Sequence, residues 1–111
     1  MPDSAHPVHE VKASLFRVLG HPARVRILEL LREGERTVGT LQEALGLDSG
    51  GNSQHLAALR RIGLVESRRE GTSVYYRVDD PQVFDLLAAG RAIITRRLEG
   101  QQAILDELDR Q

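Results

Sequence analysis

Apolar residues return at helical spacing in five stretches of this chain, and β-branched and aromatic residues flank one glycine turn. Val8, Val11, Leu15, Phe16, Val18 and Leu19 follow a helical period and predict a first helix from about Pro7 to Leu19, ended by Gly20. His21-Pro22-Ala23 opens a second, with proline suited to its first turn; it runs through Val25, Ile27, Leu28, Leu30 and Leu31 to about Glu33, where Gly34 stops it. Thr37 is the capping residue of a short helix, Val38 to Leu45, with Val38, Leu41, Ala44 and Leu45 turned inward. Gly46-Leu47-Asp48 leaves room only for a tight turn before the next helix. That one is capped ahead of Ser49, carries Leu56 and Leu59 on one face with Ile62 and Leu64 just beyond, and is closed by Gly63. Leu64 to Arg69 and Ser73 to Val78, on either side of Glu70-Gly71-Thr72, predict a hairpin. Asp79-Asp80-Pro81 ends the hairpin and caps a last helix from about Gln82 to Asp109, with Gly90 and Gly100 as candidate points of interruption.

The predicted fold is mainly α with a small β-hairpin, in the order α-α-α-α-β-β-α, as one domain over residues 1–111. Residues 1–6 form a flexible leader, 37–63 a helix-turn-helix and 64–78 the wing that follows it. Two apolar stripes exceed what such a small domain can cover. One is on the first helix (7–20). The other is on the last (81–110), through Val83, Phe84, Leu86, Leu87, Ile93, Ile94, Leu98, Ile104, Leu105 and Leu108. The first predicts packing partly against a partner subunit.

Composition narrows the function. No apolar run approaches the roughly 20 residues a bilayer requires, and the start lacks a secretory pattern, so a soluble cytoplasmic protein with no membrane partner is expected. The absence of cysteine removes disulfides and thiolate metal sites. Net charge is −1, too little for binding nucleic acid by bulk charge, but the distribution is uneven. Arg60, Arg61, Arg68, Arg69 and Arg77 stand against Glu66 and Glu70 in the middle, whereas Glu99, Asp106, Glu107 and Asp109 crowd the end. One basic face suits a polyanion. No nucleophile, base and orienting group fall in a recognisable arrangement, so no enzyme is expected.

The helix that begins at Ser49 has a polar leading end. Ser49, Asn52, Ser53, Gln54 and His55 are more hydrogen-bonding side chains than a core could use, and Gly50 and Gly51 let the backbone come close to a ligand. Asn52 and Gln54 carry amides suited to adenine, and Ser53 can donate or accept. Arg60 and Arg61, two turns on, suit phosphates. Arg68 and Arg69 would reach the backbone or the minor groove beside the site, next to the turn at Gly71 and Thr72. Each has a plainer alternative: a solvated hairpin edge for the wing arginines, a hydrogen bond inside the helix-turn-helix for His55, and hairpin packing for Tyr75 and Tyr76.

Three segments together resemble the ArsR/SmtB family of winged helix-turn-helix transcriptional regulators: Leu19-Gly20-His21-Pro22-Ala23-Arg24-Val25-Arg26-Ile27-Leu28, Ser53 to Val65 with Ser53-Gln54-His55-Leu56, and Arg68-Arg69-Glu70-Gly71-Thr72-Ser73-Val74-Tyr75-Tyr76. The resemblance implies a homodimer joined by its first and last helices, binding double-stranded DNA at an imperfect palindrome, most often as a repressor and in many members released by a metal ion. Asn52 departs from it, since the family more often has an apolar residue there, and the Gly-Gly before it is unusual. The usual metal ligands are missing: Val38 to Leu45 has no cysteine, and Asp80-Pro81-Gln82 has glutamine where the family has histidine. What remains is His6, His9 and Glu10, with Asp3 or groups of a second copy as further ligands, a nitrogen and oxygen set suited to nickel, zinc or cobalt as effector. His21 is expected to shape the turn before the second helix. Two alternatives stay open, a regulator that does not respond to metal and a protein-interaction module that has kept the fold. An accessory regulatory protein is a further candidate partner.

Overall fold

The computed structural model describes residues 7–111 and shows two compact units, one ending at Asp80 and one beginning at Pro81. The predicted leader, and with it His6, lies outside the described residues. In the first unit, α1 (Val8–Leu19), α2 (Pro22–Leu30), α3 (Val38–Leu45) and α4 (Ser49–Arg61) come in the predicted order. Beyond Leu30 the second helix tightens to a single 3-10 turn, Leu31–Glu33, before Gly34.

Local chemistry sets these boundaries. The His21 Nδ1 accepts from the Ala23 N–H at 3.1 Å and caps α2, with Pro22 behind it. Thr37 caps α3 by accepting from the Thr40 N–H, and Asp48 caps α4 by accepting from the Gly51 N–H at 2.7 Å. The end of α4 is a Schellman motif: Gly63, at φ +79°, sends its N–H to the Arg60 carbonyl, and Leu64 sends its own to Leu59. Ile27, Leu28, Leu41, Leu56, Leu59 and Val65, each at most 1% exposed, make the core that α2, α3 and α4 share with the approach to the wing. Ala44, expected inside, is exposed, because eight residues of α3 give only a narrow buried stripe, centred on Leu41.

The wing has one more strand than the hairpin pattern predicts. β2 (Glu66–Glu70) and β3 (Ser73–Arg77) pair antiparallel through a two-residue turn whose first residue, Gly71, has φ +62°, as a type II′ hairpin requires. β1, only Arg36–Thr37, pairs with the other side of β3, Arg36 opposite Tyr76 and Thr37 opposite Tyr75. The order is β1-β3-β2. Thr37 therefore holds a strand of the wing and caps α3 at once, which fixes the wing to the helix-turn-helix.

The second unit is α5 (Gln82–Asp109), 28 residues without a break. Gly90 and Gly100 do not interrupt it: glycine weakens a helix by about 1 kcal/mol but keeps the N–H that proline lacks. Pro81 occupies the cap position without a side-chain bond, and Asp79 accepts from Arg77 Nε at 2.7 Å. Val83 is buried, whereas Ile93, Ile94, Leu98, Ile104, Leu105 and Leu108 are 53–64% exposed; on α1, Val8, Val11 and Phe16 are 56–68% exposed. Among the described residues no helix is long and apolar enough to cross a membrane.

Candidate nucleic-acid interface

One face of α4 is open along its length. Gly50, Ser53, Gln54, Ala57, Arg60 and Arg61 are exposed, and their spacing of three and four residues puts them side by side. Small and hydrogen-bonding groups lead and two cations follow. The opposite face, with Leu56, Ala58 and Leu59, is buried. The open face borders a groove of about 440 Å³ lined by Val38, Ser53, Leu56, Ala57, Arg60, Arg61 and Tyr76, so α4 and the central strand of the wing share one concave surface. Ala57 was not singled out from the sequence, although its place three residues after Gln54 and three before Arg60 puts it on this face; its methyl suits contact with a thymine methyl.

Asn52 and His55, both expected near DNA, are turned into the fold, and Arg68 is exposed but ion-paired. Asn52 is fully buried. Its Nδ2 donates to the Val38 carbonyl over a long 3.4 Å and its Oδ1 has no partner, so it joins α4 to the start of α3 and cannot reach a base. His55 is half-buried, and its Nδ1 accepts from Arg24 Nε at 3.0 Å, which decides for the hydrogen bond inside the fold. Burial first, then the charges of His21 and Arg24, hold its pKa below the ordinary imidazole value, so it is neutral near pH 7.

Arg68 is not a free cation. Its Nε and Nη2 donate to the Glu35 carboxylate at 2.9 and 2.7 Å, its Nη1 to Glu70 at 3.2 Å, and its guanidinium lies 4.4 Å over the Tyr75 ring. The pair holds the Glu35 carboxyl below the usual carboxylate range and the guanidinium above its own. This fork ties β2 to the residue before β1, a link across 33 positions of sequence. Arg69 lies on the other face of β2. Ser67 opposes Tyr76 and Arg69 opposes Val74, so Arg69 shares the side on which Tyr76 lines the groove. It is exposed, as Thr72 is at the tip of the turn.

At the leading end, Ser49 is the first residue of α4, and the Gly51 N–H is taken by the Asp48 cap. A Cβ on Gly51 would sit 3.2 Å from that carboxylate, a tight contact that explains one of the two glycines. The two glycines lie inside α4, which starts at Ser49. Of the candidate metal ligands, His9 and Glu10 are exposed neighbours in the first turn of α1, and among the described residues no three histidine, cysteine or carboxylate side chains gather.

Known proteins share this arrangement. Residues 21–67 match the family described as bacterial regulatory protein, arsR family. The uncharacterized HTH-type transcriptional regulator Rv0081 of Mycobacterium tuberculosis is 43% identical over 105 residues, 94% of this chain and 92% of that protein. Its crystal structure superposes with a TM-score of 0.80, covering 87% of this chain and 98% of the other. The biofilm growth-associated repressor of Xylella fastidiosa is 36% identical over 69% of this chain and 68% of its own length. A solution structure from Mycobacterium bovis, of the homodimeric winged helix-turn-helix DNA-binding domain Mb0332, is 33% identical with a TM-score of 0.71, covering 87% of this chain and 94% of that one.

Proposed function

This chain belongs to the arsR family of bacterial regulatory proteins, DNA-binding transcriptional regulators and not enzymes, and from that premise we propose that it is a cytoplasmic homodimeric repressor that covers an imperfect palindrome. The observation that carries the reading is the open face of α4, where Ser53, Gln54 and Ala57 precede Arg60 and Arg61 while every bulky apolar residue faces inward. The first three suit base edges in the major groove and the two arginines suit phosphates. Arg69, on the groove side of the wing, suits the strand alongside. Two copies related by a twofold axis would meet half-sites about one helical turn apart. Repression is also in the name of the Xylella relative, and a homodimer in the description of the Mycobacterium bovis domain.

Selecting duplexes from a randomised pool with the full chain tests the reading. An enriched palindrome is expected, and an unenriched pool overturns it. Gln54→Ala is expected to relax the preference at one position of each half-site by about 1–3 kcal/mol per base pair, whereas Asn52→Ala leaves every position unchanged. Weakening that is uniform across sequences for Gln54→Ala would remove it from base recognition.

The effector is a separate matter. The described residues do not fit either metal site usual in the resembled family, and the set left for nickel or zinc is His6, His9 and Glu10 at the start of the chain. Calorimetric titration with nickel and with zinc is expected to give isotherms that His6→Ala/His9→Ala flattens; identical isotherms leave a regulator that does not respond through these residues.

A further inference from the structure

Behind the DNA-facing side of α4 a polar chain runs through the first unit. Arg24, in the first turn of α2, donates Nη1 to the Val18 carbonyl near the end of α1 at 3.4 Å and Nε to His55 Nδ1 at 3.0 Å. The His21 ring, whose Nδ1 caps α2, lies 4.2 Å from the His55 ring between centroids. One guanidinium therefore joins the end of α1, the start of α2 and the second turn of α4. We propose that Arg24 is a positioning residue for the recognition helix, holding His55 from behind so that Ser53, Gln54 and Ala57 meet the duplex at a fixed angle. The inference rests on the DNA-binding reading above and adds to it the part of the fold that aims the helix.

Geometry makes the link depend on one protonation state. Because Nδ1 of His55 accepts from Arg24, the single ring proton of the neutral form sits on Nε2. A second proton can go only to Nδ1, where it removes the acceptor and sets a new cation against Arg24.

The surroundings all favour the neutral ring. Charges acting on it are His21 and Arg24, and its pKa is lowered from 6.5. On α2, the other charged residues, Arg26 and Glu29, pair with each other. On α3 the one ionisable side chain, Glu43, is exposed, as are Arg60 and Arg61 on α4 itself. A group whose folded pKa is depressed keeps its full contribution above the unfolded value and loses it as pH falls through the folded one. The link is thus whole at neutral pH and fails on the acid side.

The test uses the full chain and the duplex it selects. Arg24→Ala is expected to bind about tenfold more weakly near neutral pH, the scale of one charge-assisted hydrogen bond, with the slope of log affinity against log salt unchanged. Arg24→Lys, equal in charge but without a fork to hold two acceptors, recovers only part. His55→Gln keeps an oxygen to accept from Arg24 and does not titrate. It is expected to match the parent near neutral pH and to lack the extra fall in affinity that the parent shows as pH drops below the ordinary imidazole value. Should Arg24→Ala fail to fold, the decision rests on His55→Gln. A salt slope shallower by about 1 or more in Arg24→Ala would make Arg24 a phosphate contact and overturn the proposal. So would an acid limb in His55→Gln equal to the parent's. Parent-like behaviour of every variant on an enriched duplex removes this inference alone, while a pool that never enriches removes the DNA-binding reading beneath it.

Discussion

Replacing Arg60 and Arg61 together with alanine is expected to weaken binding of the selected duplex by about three decades at 0.1 M salt, and to make the slope of log affinity against log salt shallower by 3 to 4. Two protomers share one palindrome. Each protomer loses two exposed cations that have no acidic partner among the described residues, so four phosphate contacts go, each releasing about 0.9 of a counterion and worth about 1 kcal/mol at that salt. The same double change on a buried or paired arginine would behave differently. Arg68 is the control: its donors are held by Glu35 and Glu70, so its replacement removes the fork that ties β2 to the stretch before β1 rather than a cation free to meet a phosphate. Isothermal or anisotropy titrations at several salt concentrations check both. A double variant with the parent's salt slope would take Arg60 and Arg61 out of the contact.

What the sequence made legible was what neighbours in sequence decide. The caps at Thr37 and Asp48, the stop at Gly63 and the turn at Gly71 each depend on residues within three or four positions, and all four stand where the pattern put them. The open face of α4 was legible in part. Asn52 was drawn to the surface by its polarity, but it lies four residues before Leu56 and seven before Leu59, the spacing of the buried stripe, and the stripe prevailed. Ala57 shows the reverse: a plain residue whose spacing, not its chemistry, puts it on the exposed face. Pairings across long stretches left no trace in the pattern. β1 is two residues, Arg36 and Thr37, that are a strand only because Tyr76 and Tyr75 oppose them. The Glu35 to Arg68 fork joins residues 33 apart, and from sequence Arg68 differed in nothing from Arg69.

The apolar stripe of α5 carries the other large expectation. Ile94, Leu98, Leu105 and Leu108 follow steps of four and three, with Gln101 falling in the same seam, the spacing of helices that pack along each other in pairs. Each of the four is 53–60% exposed. Covering side chains of this kind contributes about 1 kcal/mol or more apiece, counted twice across a twofold axis, enough to hold a dimer that a lone copy of the helix has no means to replace. Leu98→Asp/Leu105→Asp is expected to convert the parent dimer to a monomer at micromolar concentration, a loss of at least about 100-fold in association, because four carboxylates would otherwise be buried against apolar neighbours. Helical content should stay near the parent's, since both positions are exposed in the single chain and need no repacking there. Duplex binding should fall with dimerisation, each half-site then being held by one copy alone. Sedimentation of the parent and the variant decides it: a variant that remains a dimer places the shared surface away from this stretch of α5, and one that is monomeric yet binds the palindrome with parental affinity separates DNA recognition from pairing.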